Sequence, residues 1–183
     1  MARQMVLTPD PSLLQKATPV KKIDKKIDEY LQDMEFLLVT ADDPIGVGLA
    51  APQAGIPYRI FLMRPTEKSK IQVFINPEVL PTDEVKQKSK PKKRKKRILE
   101  GCLSIPNIWG NVTRKDTVKL SYLDEKGVQH TKTFKGFSAI IIQHEIDHLD
   151  GILFTKRVLE QGEKLYKSSK NEEGEEEFEE MKI

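Results

Sequence analysis

The sequence predicts an α+β fold, with antiparallel β-strands wrapped around one central helix. Three observations predict it. Residues 137–142, Phe-Ser-Ala-Ile-Ile-Ile, run without proline into Gln143-His144-Glu145-Ile146-Asp147-His148, the pattern of a buried helix. Residues 59–63 and 72–75 are short and apolar and read as strands. Residues 117–123 and 128–134 flank Asp124-Glu125-Lys126-Gly127, a hairpin signature.

Taken in order, the chain starts with a turn-rich stretch carrying Pro9 and Pro11. A helix is expected from Asp24, because Ile23, Ile27, Tyr30, Leu31, Met34, Leu37 and Leu38 recur at helical spacing. Asp42-Asp43-Pro44 ends it. In Ile45-Gly46-Val47-Gly48-Leu49-Ala50-Ala51-Pro52-Gln53 the two glycines let the backbone approach something closely. The stretch lacks the third glycine, the Lys-Ser/Thr and the preceding strand of a phosphate loop. Its one polar side chain, Gln53, must either find partners when buried or offer its N–H to a substrate oxygen. Asn76-Pro77 reads as a strand stop. Residues 86–97 form a basic block, expected as a solvated loop or a charged edge hairpin. Residues 98–106 are apolar except for Glu100 and Ser104 and hold the sole cysteine, Cys102. His130, on the hairpin, reads as a surface histidine. Residues 162–165 are expected to continue a helix. Residues 171–183 are acidic and glycine-broken and read as a disordered tail. The organisation expected is one domain over residues 1–170, with a basic insert at 86–97, followed by that tail.

A chain of 183 residues with 38% hydrophobic and 32% charged residues is long enough for a hydrophobic core and reads as soluble. No run of 18 apolar residues is present to span a membrane. One cysteine excludes an internal disulfide and points to a reducing compartment. The N-terminus lacks the apolar region of a signal peptide.

The chemistry concentrates on the central helix. Residues four apart share a helix face, so His144 and His148 lie within reach of one metal ion. Glu145 sits about 100° further round, displaced from ligation but near enough to touch water on the metal. Two imidazoles and a free carboxylate form a hydrolytic arrangement. A helix can also carry two histidines on a wet face with no metal. Against that, Ile140, Ile141, Ile142, Ile146, Leu149, Ile152 and Leu153 surround the motif, and polar groups in so apolar a segment need a partner or a metal. Catalytic sites of this kind use three protein ligands and leave one position open. Cys102, His130 and several carboxylates are candidates for the third, and Cys102 alone lies in an apolar, glycine-flanked segment.

Three segments resemble, in the same order, the three signature motifs of the peptide deformylases: residues 46–53, Glu100-Gly101-Cys102-Leu103-Ser104, and Gln143-His144-Glu145-Ile146-Asp147-His148. The likeness runs from about Leu7 to Val158. It implies that Cys102, His144 and His148 bind a divalent metal, Fe(II) first, with Zn, Ni and Co as alternatives. It also implies that Glu145 is general base and acid, and that Gln53 and the backbone N–H of Leu103 hold the oxyanion. Gly48 would bond the substrate backbone, and Val47, Ile98, Phe137, Ile140 and Ile141 would line the methionine pocket. The implied reaction removes the N-formyl group from the initiator methionine of nascent polypeptides and releases formate.

The implied setting is a monomer in the bacterial cytoplasm, with a mature organellar form as the alternative, and with no membrane partner. The chain departs from the family pattern in its long basic block, expected to contact the ribosome, and in its acidic end. Two other readings stand beside this one. A zinc endopeptidase shares His-Glu-x-x-His but takes its third ligand downstream. A non-catalytic RNA-binding protein would use residues 86–97 and carry a merely structural metal.

Overall fold

The computed structural model describes residues 3–42, 44–81, 99–171 and 174–182. The first helix, α1 (Lys25–Thr40), starts where expected, with the Asp24 carboxylate accepting from the N–H groups of Lys26 and Ile27. A five-stranded antiparallel sheet follows in the order β1 (Gly48–Ala50), β2 (Ile60–Met63), β3 (Gln72–Leu80), β6 (Thr117–Leu123) and β7 (Gln129–Lys135). A second sheet pairs β4 (Leu99–Cys102), β5 (Ile105–Asn111), β8 (Leu165–Lys170) and β9 (Glu176–Glu180). The central helix, α2 (Phe137–Leu149), packs on the five-stranded sheet, and α3 (Phe154–Glu160) covers β4 and β5.

β2 explains why its segment is apolar without alternation. Successive side chains point to opposite faces of a sheet. Ile60 and Leu62 enter the core under α1, while Phe61 and Met63 enter the core under α2. Both faces are covered, so every position is buried. A third, smaller core gathers Cys102, Ile105, Phe154, Val158 and Leu165 around α3.

Three expectations are corrected. Asn76-Pro77 does not stop a strand. β3 continues to Leu80 through a register shift between Ile75 and Glu78, with Asn76 at φ 50°. Asn76 holds that bulge by accepting from Val20 N–H and donating to Val20 C=O, both at 2.8 Å. Residues 162–165 do not extend a helix. Gly162 takes the left-handed conformation (φ 67°) after α3, and β8 begins at Leu165. Glu176–Glu180, expected to lie in a disordered tail, forms a strand instead. It pairs with β8 in register Tyr166↔Glu180 to Lys170↔Glu176. Lysines opposite the glutamates make that pairing favourable, and the 170/171 boundary falls beside the turn of a hairpin. The basic block at 86–97 lies outside the described residues.

Candidate metal centre and peptide cleft

α2 ends in a Schellman arrangement. Ile152 N–H donates to Asp147 C=O and Gly151 N–H to His148 C=O, with Gly151 at φ 72°. A side chain at Gly151 would strike the Leu14 carbonyl. This stop sets the last turn of the helix, on which His148 sits one turn after His144, with ring centroids 5.0 Å apart. Cys102, at the end of β4, faces them from the other sheet. Its Sγ lies 3.1 Å from His148 Nε2 and 3.5 Å from the Gln53 amide nitrogen.

One ligand atom from each of Cys102, His144 and His148 lies within 4.8 Å of the others. The donor set fits a divalent ion: one thiol and two imidazoles converge, and among the described residues the buried Glu145 Oε2 has no hydrogen-bond partner. His130 does not join the group. It bonds Asp124 at 2.7 Å and stacks on Tyr122.

The charges around the centre are paired away from it. Glu100, two residues before Cys102 on the same face of β4, accepts from Arg114 Nε and Nη2, both at 2.9 Å, and bonds His144 Nδ1 at 3.0 Å. That bond leaves His144 Nε2 for ligation. Arg114 also bonds Asp147 at 2.6 Å, and Asp147 accepts from Arg157 at 2.8 Å. Burial alone would raise the Glu100 pKa, but its bonds to Arg114 and His144 hold it below the usual carboxylate value. Burial would lower His144, yet its contacts with Cys102 and Glu100 hold it well above the ordinary imidazole. Burial and the neighbouring charge of His144 push His148 well down. Burial pushes Glu145 up to about 7.

Glu145 lies against the backbone of β1. A Cβ on Gly48 would meet its Oε1 and come within 2.8 Å of its Cδ, so only glycine leaves room for the carboxylate. The segment ahead of Gly48 is tied by Arg64, which donates to Gly46 C=O at 2.7 Å and to Leu38 C=O at 3.0 Å. Gln53, in the short helix Ala51–Ala54, accepts from Ala50 N–H at 2.8 Å and turns its amide nitrogen toward Cys102 and Ser104.

A cavity of about 640 Å³ opens over this centre, lined by Val47, Gly48, Gln53, Leu103, Phe137, Ile140 and Ile141 among others. Phe137, 42% exposed, stands at its rim. Ile98 lies outside the described residues. The cavity lining also includes residues to which the sequence reading gives no role, among them Glu100, whose charge inside an apolar stretch is the available signal, and Trp109, Lys170 and Glu176 from the second sheet.

A model of the polypeptide deformylases matches residues 2–164. The chain is similar to the peptide deformylase of Pseudothermotoga lettingae, 36% identical over 154 residues, which is 84% of this chain and 81% of that protein. It is 39% identical over 154 residues to the peptide deformylase of Desulforudis audaxviator, covering 84% of this chain and 92% of that protein. The crystal structure of the Thermotoga maritima peptide deformylase superposes with a TM-score of 0.73 at 32% identity, covering 86% of this chain and 97% of that one.

Proposed function

The chain belongs to the polypeptide deformylase family, and from that premise we propose that it hydrolyses the N-formyl group of nascent formyl-methionyl polypeptides, giving formate and a free amino terminus. The observation that carries this reading is the convergence of Cys102, His144 and His148 beside the buried carboxylate of Glu145, whose Oε2 has no partner among the described residues. The thiol of Cys102 comes from upstream of the histidine pair, which disfavours an endopeptidase whose third ligand lies downstream.

Cys102, His144 and His148 would hold the metal, Fe(II) in the first instance, with Zn, Ni or Co as alternatives that the same donors would accept. When bound, the ion supplies the Lewis acidity that lets water act as a nucleophile near neutral pH. Glu145 takes the proton from the water that attacks the formyl carbon and delivers it to the departing amine nitrogen. A carboxyl group pushed up to about 7 suits both halves of that task. The Gln53 amide N–H and the Leu103 backbone N–H donate to the oxygen that becomes negative in the tetrahedral state. Gly48 bonds the substrate backbone. Val47, Ile98, Phe137, Ile140 and Ile141 enclose the methionine side chain, a role supported by the apolar character of all five.

The chain works in the bacterial cytoplasm, a reading supported by its bacterial relatives. Among the described residues no helix is long and apolar enough to cross a membrane. Residues 86–97 contact ribosomal RNA, a reading that rests on their sequence alone.

The test is formate release from formyl-Met-Ala-Ser by protein prepared without oxygen, with metal analysis alongside. Turnover that tracks metal content supports the assignment. Metal-loaded protein that releases no formate refutes it.

A further inference from the structure

The family model stops at residue 164, and the hairpin β8–β9 begins at the next residue. In this chain that hairpin reaches the peptide cleft. Lys170 and Glu176 are cross-strand partners, and both line the cavity over the metal centre. Side chains two apart on a strand share a face, so Ser168 and Lys170 on β8 stand on one face with their partners Phe178 and Glu176 on β9.

Trp109 locks that face in place. Its indole Nε1 donates to Ser168 Oγ at 3.0 Å, and Phe178 meets the ring edge-on at 5.9 Å. Trp109 is itself the register partner of Gly101, whose missing side chain leaves room for the ring beside Cys102. The hairpin is thus packed, through one tryptophan, onto the strand that carries the thiol ligand.

Among the described residues, acids outnumber bases at the exposed part of this lip. Among the described residues lining the cavity, Glu100 is paired with Arg114 and His144, and Glu145 is buried against Gly48. The exposed charges are Asp42, Glu176 and Lys170. On β9, Glu177 and Glu179 point to the opposite face, and Glu180 is paired with Lys164 at 2.7 Å, so Glu176 is the β9 acid at this lip. A peptide with its formyl-methionine in the apolar pocket must carry its following residues out past this rim.

We propose that the β8–β9 hairpin is a specificity element of the cleft, in which Glu176, tempered by Lys170, favours substrates with Lys or Arg over Asp or Glu in the residues after formyl-methionine. The inference rests on the deformylase reading above. Its basis is charge complementarity at a partly screened rim, which sets preference more than total affinity.

The test compares kcat/KM for formyl-Met-Lys-Ser and formyl-Met-Glu-Ser in the wild type, Glu176→Lys, and the charge exchange Lys170→Glu/Glu176→Lys, which keeps opposite charges across the strands. The Lys/Glu ratio is taken within one preparation, so it does not depend on the fraction of active enzyme. The wild type is expected to prefer the lysine peptide by about fivefold, the upper end for an exposed ion pair. Glu176→Lys should bring the ratio below one, with the charge exchange falling between the two. On the order of 0.5 M salt should shrink the wild-type preference. A ratio near one in the wild type, or the same ratio in all three proteins, would overturn the proposal while leaving the deformylase activity standing. A metal-loaded wild type that turns over neither peptide would overturn both.

Discussion

Loss of Arg114 should be felt both in stability and at the metal. Arg114 is 7% exposed and bonds Glu100 through two N–H groups and Asp147 through a third, and those carboxylates are 6% and 10% exposed. Arg114→Met keeps much of the side-chain volume but removes the cation. Among the described residues, Asp147 retains Arg157, whereas Glu100 retains only His144. Breaking a buried pair by removing one partner costs about 3–5 kcal/mol, mostly the penalty of the stranded charge. With an m-value of about 2 kcal/mol/M, the urea midpoint should fall by about 2 M. The measurement belongs on chelator-treated protein, because a bound ion would add stability of its own. Glu100→Gln should cost less, since Arg114 keeps Asp147. The double variant Glu100→Gln/Arg114→Met should cost less than the sum of the two singles, by about 1–3 kcal/mol. His144 loses the orienting network, so metal affinity should also drop by about 10- to 100-fold. A loss below about 1 kcal/mol with an unchanged m-value would refute the reasoning, because the charges would then be solvated after the substitution.

The other expectations concern the site and its acid limit. Glu145→Gln should keep its metal and lose turnover by about 10²- to 10⁴-fold; retention of a third of the activity would remove Glu145 from the mechanism. Cys102→Ser should lose metal on dialysis, because an alcohol is a poor anionic ligand at neutral pH, and an unchanged metal content would return Cys102 to a packing role. Gly48→Ala must push the Glu145 carboxylate aside, so kcat should fall well before the melting temperature does, whereas wild-type kcat would mean that Glu145 has other room. Glu100 is held below its ordinary value of 4.5, so the unfolded chain binds the proton first as pH falls. Its contribution is complete above 4.5 and is lost as pH drops through the lower folded value. Urea unfolding of the metal-free protein should therefore be less acid-sensitive in Glu100→Gln, and identical acid slopes would exclude the group.

Much of the site was legible in the chain because it is local. The i, i+4 spacing of His144 and His148 follows from helical pitch, and Asp24 caps its helix through residues two and three further on. What misled was equally local: Asn76-Pro77 has the composition of a stop and Glu176–Glu180 that of a tail. Only the tertiary structure decided otherwise. Asn76 is held by Val20, 56 residues away, and β9 by the lysines and Trp109 of strands it must first meet in space. The same holds for Glu100, whose value to the centre depends on Arg114 and on His144, 14 and 44 residues along the chain. Sequence alone determined which groups could do the chemistry, since side-chain type and short-range spacing are properties of the chain. Tertiary structure decided which charges are neutralised and what walls the cleft, because those depend on long-range packing that no local pattern encodes.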